Sequence, residues 1–251
     1  MTYEFKIGMA LQFNRPFREA VVLGRELGAR YGWVDLDFAL AEVGDIDSVG
    51  KMTADHGIEL FMLGNNVFSG LYLTDVDLER PLDNPQLQRH MDRLVAAMQA
   101  ASHLGAGTVL AYSFLWPGNW ASWPMRWLTR GGVITDSDMD KLVVIFSRVL
   151  EEAEQYDVNL ALGMMPWNFT NTTGNFRQLA ERLGSRRIKV MWGPSDNWNS
   201  GEWDVATSGF DNVWPYLHGL HLKDLRVVDG LRNDFEYCPI GEGAVSYTHL
   251  R

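Results

Sequence analysis

Short apolar runs alternate with longer amphipathic segments along this chain. The apolar runs predict seven strands: Phe5 to Leu11, Gly32 to Leu36, Ile58 to Leu63, Thr108 to Ser113, Asn159 to Leu162, Ile188 to Trp192 and Gly219 to Leu222. Apolar residues at helical spacing predict helices between them, most clearly from Pro85 to Leu104 and from Ser137 to Tyr156. This alternation indicates right-handed βαβ units and a parallel sheet.

The length of the chain favours a single barrel. Its 251 residues are about the usual size of one (β/α)₈ barrel, and no linker interrupts the pattern. A closed barrel of this type needs eight strands, one more than the pattern predicts. We therefore expect an α/β fold, a parallel TIM barrel over residues 1–243, that lacks its last β/α unit and leaves strand edges unpaired at both ends.

The last residues, Ala244 to Arg251, differ in character from the rest of the chain. They resemble the translation of a transposon-end adapter used to prepare DNA libraries. We expect residues 244–251 to be a non-native tail, which fold prediction should leave out. A natural polar tail is the alternative.

Composition and charge narrow the class of protein. Hydrophobic residues at 46% and charged residues at 22% are ordinary for a soluble globular protein. The net charge of -10, with no stripe of Lys and Arg, disfavours a nucleic-acid partner. One cysteine, Cys238, permits no internal disulfide and fits a reducing compartment. With no secretion signal and no long apolar run, we expect a cytoplasmic protein without a membrane partner.

A long loop from Phe114 to Thr135 interrupts the regular rhythm of strands and helices. It carries four tryptophans, at positions 116, 120, 123 and 127. Loops of this length in compact domains are often lids or binding elements, and aromatic faces suit the C–H faces of a sugar. Trp116 is therefore a predicted substrate-binding residue, with packing of the loop on the barrel rim as the alternative.

Two segments near the end of the chain carry candidate chemistry. His218 to Asp224 reads as a short buried strand that ends on polar groups, and Pro239 to Gly243 as an acidic loop flanked by glycines. In parallel α/β proteins the residues after a strand face the ligand. We predict that Lys223 is catalytic and stabilises a developing oxyanion, with Asp224 orienting it. Asp224 and Glu242 are also predicted to bind the substrate. A surface ion pair is the alternative for Lys223.

Further polar and aromatic residues follow the fifth and sixth predicted strands. Their amides and indole rings suit a neutral polyol better than a phosphate, and we predict that four of them bind substrate: Trp167, Asn168, Trp192 and Asn197. The chain has no glycine-rich phosphate loop. We therefore expect a small carbohydrate as substrate and no nucleotide cofactor.

These segments and the strand order, from Phe5 to Gly243, resemble the sugar phosphate isomerase/epimerase group, the xylose-isomerase-like barrels that include endonuclease IV. The resemblance implies a divalent metal held by carboxylates after the fifth, sixth and eighth strands and by a histidine after the seventh. His221 matches that histidine, but Gly163 and Gly193 stand where the first two carboxylates belong. A divalent metal is thus implied by the resemblance and opposed by the two glycines.

Asp196 lies three residues after Gly193 and is the predicted replacement ligand or catalytic base. A turn former in Pro-Ser-Asp-Asn is the alternative of similar weight. His221 without its partner ligands is equally consistent with a buried structural histidine.

Three functions are compatible with this sequence. The first is an isomerase- or epimerase-like enzyme that abstracts a proton next to the carbonyl of a small carbohydrate or inositol-type substrate. The second is a catalytically degenerate family member that only binds a sugar. An apurinic endonuclease is disfavoured by the acidic charge and because three histidines, at positions 56, 90 and 103, fall on or beside helices. Family members often assemble into dimers or tetramers, which implies a homo-oligomer.

Overall fold

The computed structural model describes residues 6–11, 15–115, 134–229, 234–245 and 247. In this part of the chain, seven parallel strands form one sheet in which each strand pairs with the next in sequence. These strands are β1 (Gly8–Ala10), β2 (Tyr31–Asp35), β3 (Glu59–Gly64), β4 (Thr108–Tyr112), β5 (Asn159–Gly163), β6 (Ile188–Trp192) and β7 (Leu217–Leu220). The strand order confirms the predicted parallel α/β barrel architecture.

Eight helices follow the strands in the described residues. They are α1 (Phe17–Glu26), α2 (Leu36–Val43), α3 (Ile46–Asp55), α4 (Pro85–Leu104), α5 (Asp136–Gln155), α6 (Thr173–Leu183), α7 (Pro194–Asn199) and α8 (Phe210–Val213). The predicted helix from Pro85 to Leu104 is confirmed at both ends. The Asn84 side chain caps its first turn, and Gly105 ends it with a φ of 70°. No helix in these ranges is both long and apolar enough to cross a membrane.

The apolar side chains of the strands belong to two separate clusters, one on each face of the sheet. On β5, Leu160 and Leu162 belong to the large cluster shared with the helices, whereas Ala161 belongs to a small one. The small cluster also contains Trp33, Met62, Leu110 and Met191. Because successive side chains on a strand point to opposite faces, the small cluster is the interior of the barrel.

The same alternation decides which strand ends reach the mouth of the barrel. On β4, Tyr112 lies two residues beyond Leu110 and packs against the interior cluster. On β5, Gly163 lies two residues beyond Ala161 and pairs in register with Tyr112. Gly193 lies two residues beyond Met191 of β6. These positions therefore share the interior face at the carboxyl ends of the strands.

The end of the chain contains a hairpin that the apolar pattern did not predict. Strands β8 (Asp224–Asp229) and β9 (Asp234–Cys238) pair antiparallel, apart from the main sheet. Beyond them, the Val245 side chain is buried in the large cluster. The assignment of residues 244–251 to a non-native tail stays a prediction.

Candidate functional site

A buried ion pair lies at the carboxyl end of the barrel. The Lys223 ammonium is 2.7 Å from the Asp196 carboxylate, and the two side chains are only 18% and 10% exposed. Asp196 lies on α7 after β6, and Lys223 lies just after β7. Because β6 and β7 are neighbours in the sheet, their carboxyl ends bring the two residues together. The structure thus joins the two predicted catalytic residues.

The Asp196 carboxylate lies over Gly193. A Cβ atom at position 193 would come within 2.5 Å of Asp196 Oδ2, so only glycine leaves room for this arrangement. Pro194 begins α7, and the Asp196 N–H donates to the Gly193 carbonyl at 2.9 Å, which turns the chain back on itself. The turn predicted around Asp196 is therefore the first turn of a short helix. A carboxylate from position 196 fills the space next to position 193.

A similar replacement occurs one strand away, where the Tyr112 ring covers Gly163. A Cβ atom at position 163 would come within 2.6 Å of Tyr112 Cε1. Tyr112 was not predicted as a site residue. The available signal was its place at the end of a buried strand, on the interior face. A side chain at position 163 would have to displace this ring.

Burial sets the protonation of the ionisable groups around the barrel mouth. It raises the pKa of Asp196, an effect that the nearby Lys223 charge opposes. Burial lowers the pKa of His221 to about 4, and Lys223 adds to this effect. Burial also raises the pKa of Tyr112, with further contributions from the charges of Asp196 and Asp35. At neutral pH, His221 is therefore a neutral imidazole and Tyr112 a protonated phenol.

Two residues from β2 complete this end of the barrel. The Trp33 ring packs edge-on against the His221 ring, with 6.5 Å between their centroids. Asp35 is a buried carboxylate at the end of β2, and burial raises its pKa. Its side chain also caps α2 by accepting from the Asp37 N–H at 3.1 Å. Neither residue was predicted from the sequence, although both lie on the inward face near a strand end.

The residues present do not fit the divalent metal that the family resemblance implies. Positions 163 and 193 are glycines whose neighbouring space is taken by Tyr112 and Asp196. Asp196 is itself paired with an ammonium group, which a metal would have to displace. Within the described ranges, no three His, Cys, Asp or Glu side chains are grouped to hold a metal ion. The glycines at positions 163 and 193 therefore supply no carboxylate next to His221.

Asp224 has a structural role that the sequence did not indicate. Its carboxylate, in a side chain only 1% exposed, accepts four backbone N–H groups: Leu225 at 2.8 Å, Gly241 and Gly243 at 3.0 Å and Val245 at 3.2 Å. Burial alone would raise its pKa, but the four donors outweigh burial and the pKa is lowered. Asp224 thus fixes the loop after β9, whereas Asp196 pairs with Lys223.

Three other predicted substrate-binding residues are fully enclosed. Trp192 belongs to the helix-facing cluster, and its indole N–H donates to Asn197 Oδ1 at 2.8 Å. Asn197 in turn donates to the Asn171 carbonyl at 2.8 Å, and Asn168 donates to the Ser113 carbonyl at 2.7 Å. None of the three residues has exposed surface, and in this structure each has a packing and hydrogen-bonding role. Their contacts with a ligand stay predictions.

The remaining predicted site residues are placed differently. Trp167 is partly exposed after β5, where it could contact a ligand. Glu242 is exposed, in a turn closed by its N–H bond to the Pro239 carbonyl at 3.0 Å. Trp116 lies outside the described residues. The core of the site is therefore Asp196, Lys223 and Tyr112, with His221 beside them.

The fold is a parallel barrel, and the candidate site lies at the carboxyl ends of its strands. Residues 23–251 match the family described as xylose isomerase-like TIM barrel, and the chain belongs to that family. No curated protein of similar sequence matches the chain.

Solved structures share this fold at low sequence identity. The IolI protein with a bound zinc atom has a TM-score of 0.72 and 14% identity, covering 97% of this chain and 83% of that one. The probable 3-DHS dehydratase AsbF from Bacillus anthracis has a TM-score of 0.70 and 14% identity, with 97% and 87% covered. The 3-keto-D-glucoside 4-epimerase YcjR from E. coli has a TM-score of 0.66 and 15% identity, with 88% and 80% covered.

Proposed function

We propose that this protein is an isomerase- or epimerase-like enzyme that moves a proton next to the carbonyl of a small carbohydrate or inositol-type molecule. The observation that carries the proposal is the buried Asp196–Lys223 pair at the barrel mouth, joined at 2.7 Å. Family membership supports it, as do an epimerase and a dehydratase among the structural neighbours.

Asp196 is the proton acceptor in this mechanism. Its carboxylate removes the proton from the carbon next to the carbonyl, and the electron pair moves to the carbonyl oxygen as an enolate forms. Because burial raises the pKa of Asp196, the carboxylate is a stronger base than an ordinary aspartate. An isomer forms when Asp196 returns the proton to the former carbonyl carbon and the hydroxyl proton of the first carbon moves to the enolate oxygen. An epimer forms when a proton donor other than Asp196 protonates the first carbon from its opposite face.

Lys223 stabilises the negative charge that develops on the oxygen. Its ammonium has three N–H donors, of which one reaches Asp196 and the others can face a ligand. Tyr112, as a protonated phenol, is a further hydrogen-bond donor at the same strand ends. Trp167 offers a partly exposed aromatic surface for the C–H face of a sugar.

A sugar-binding protein without turnover is the second candidate. The observation in its favour is the pair of glycines, Gly163 and Gly193, at the family's carboxylate positions. Loss of those carboxylates removes the usual metal chemistry but leaves a polar and aromatic mouth. Binding and turnover therefore have to be measured separately.

Proton exchange separates the two candidates. We would incubate the protein with neutral ketoses and inososes in deuterated water and follow loss of the proton signal beside the carbonyl by NMR. Asp196→Asn should lower the exchange rate by roughly a hundredfold or more, since it removes a positioned base. Asp211→Asn, at an exposed position on α8, is the control and should exchange like the unmodified protein. Binding without exchange supports the second candidate, and neither binding nor exchange contradicts both.

A further inference from the structure

The positive charge in this site belongs to a side chain. We propose that the Lys223 ammonium takes the place of the divalent ion used elsewhere in the family, so that the site needs no metal. Lys223 would supply this positive charge inside the barrel mouth whether the carbohydrate is turned over or only bound. Three observations carry it.

The first observation is where the ammonium lies. By the family resemblance, metal ligands come from the segments that follow β6 and β7. Lys223 Nζ joins these same two segments, since it extends from the residues after β7 to the carboxylate of Asp196 after β6. A Cβ atom at Gly193 would be 2.5 Å from that carboxylate and 3.8 Å from the His221 carbonyl oxygen. The ammonium is therefore held between the elements that would hold the ion.

The second observation is that the space left by the missing carboxylates is filled. The Tyr112 ring lies 2.6 Å from where a Cβ of residue 163 would be, and Asp196 lies at 2.5 Å from the corresponding position of residue 193. Both replacements come from elsewhere in the chain and both require glycine. The loss of two ligands is thus matched by two side chains that occupy their room.

The third observation is the charge balance. A divalent ion in a buried site needs several anionic or imidazole ligands to replace its hydration shell. Here the Asp196 carboxylate is buried against one ammonium, so this pair is neutral without any ion. Asp35, another buried carboxylate described at this end of the barrel, accepts hydrogen bonds from the first turn of α2. A divalent cation added beside Lys223 would be repelled by the ammonium and would compete with it for Asp196.

Metal binding by the unmodified protein tests the proposal directly. The protein would be purified without added metal and analysed by elemental mass spectrometry, then titrated with zinc, manganese and magnesium by calorimetry and by thermal unfolding. We expect no stoichiometric metal and no rise in Tm with any of the three ions. A stoichiometric ion that is lost in His221→Ala would overturn the proposal.

A matched pair of lysine variants tests the role of the charge. Lys223→Met leaves a buried carboxylate without its cation, and we expect Tm to fall by roughly 5–10 °C. Lys51→Met removes the partner of Asp55 from an ion pair of the same 2.7 Å length, but on the surface, where the lysine side chain is 74% exposed. Its Tm should be nearly unchanged. Equal effects of the two variants would contradict the proposal, and the metal titrations above decide the question even if Lys223→Met does not fold.

Discussion

Gly193 keeps open the space that the Asp196 carboxylate occupies. In Gly193→Ala, the new methyl group would lie 2.5 Å from Asp196 Oδ2, so the carboxylate has to move away from Lys223. We expect proton exchange to fall by roughly tenfold to a hundredfold, because small misplacements of catalytic groups are costly. Gly70→Ala is the control, since nothing lies within 4 Å of a Cβ there. Exchange rates for both variants, with circular dichroism as a check of folding, decide the outcome; equal rates would contradict the assignment of Asp196.

The charge of Lys223 sets the pH at which Asp196 becomes a base. Burial raises the pKa of Asp196 above its ordinary value of 3.8, and Lys223 limits that rise. Exchange requires the ionised carboxylate, so kcat/KM should increase with pH along a limb that lies above 3.8. Lys223→Met removes the opposing charge, and the limb should move to higher pH in the residual activity. A limb that stays in place in pH–rate profiles would show that another group is the base.

At the scale of elements, the loop after β9 depends on one carboxylate. Asp224→Asn removes the charge that four backbone N–H groups share, and the free energy of unfolding at pH 7 should fall by about 2–4 kcal/mol. The pKa of Asp224 is lowered in the folded state, so this stabilisation is present above the ordinary value of 3.8 and is lost as pH falls through the folded pKa. The difference between the two proteins should therefore shrink in acid.

Urea unfolding at several pH values measures that difference. Asp211→Asn is again a suitable control, because Asp211 lies exposed on α8. A difference between Asp224→Asn and the unmodified protein that persists unchanged below pH 3.8 would mean that the carboxylate's charge does not hold the loop.

The elements themselves were largely predictable from the sequence. The run Ile188 to Trp192 matches β6, and Pro85 to Leu104 matches α4, since buried strands and long amphipathic helices have strong periodic patterns. The hairpin of β8 and β9 was missed because most of its residues are partly or fully exposed, so no buried apolar run marks its strands. The short helix α7 was predicted as a turn, since Pro-Ser-Asp-Asn favours both.

The site was less predictable because it depends on which strand ends meet across the barrel. Sequence position identified Asp196 and Lys223 as candidates, but only the pairing of β6 with β7 shows that they contact each other. Tyr112 was missed because an aromatic residue at the end of a strand is as typical of the hydrophobic core as of a binding site. Trp192 was predicted to bind the ligand because an apolar run does not show which side chains of a strand point into the barrel.

At the scale of the whole molecule, most of the apolar core and the candidate site lie on opposite faces of the sheet. The large cluster between sheet and helices supplies most of the buried apolar surface, whereas the interior cluster is small and ends at the polar residues of the mouth. Stability therefore depends mainly on the outer layer, and the inward strand ends can vary with less cost. This division is consistent with glycines at positions 163 and 193, where the family resemblance implies carboxylates, in a chain that keeps the fold.

The net charge of the chain affects which carbohydrate reaches that mouth. With a net charge of -10, the molecule repels anions, and the lysine in the site is already paired with Asp196. We expect kcat/KM to be higher for a neutral keto sugar than for its phosphate ester. The difference in kcat/KM between the two compounds should decrease as salt is added. The reason is that the screening length falls from about 10 Å at 0.1 M to about 3 Å at 1 M ionic strength. Exchange rates for both compounds across this range measure the effect. A phosphate ester preferred most strongly at low salt would instead reveal a cationic site for it.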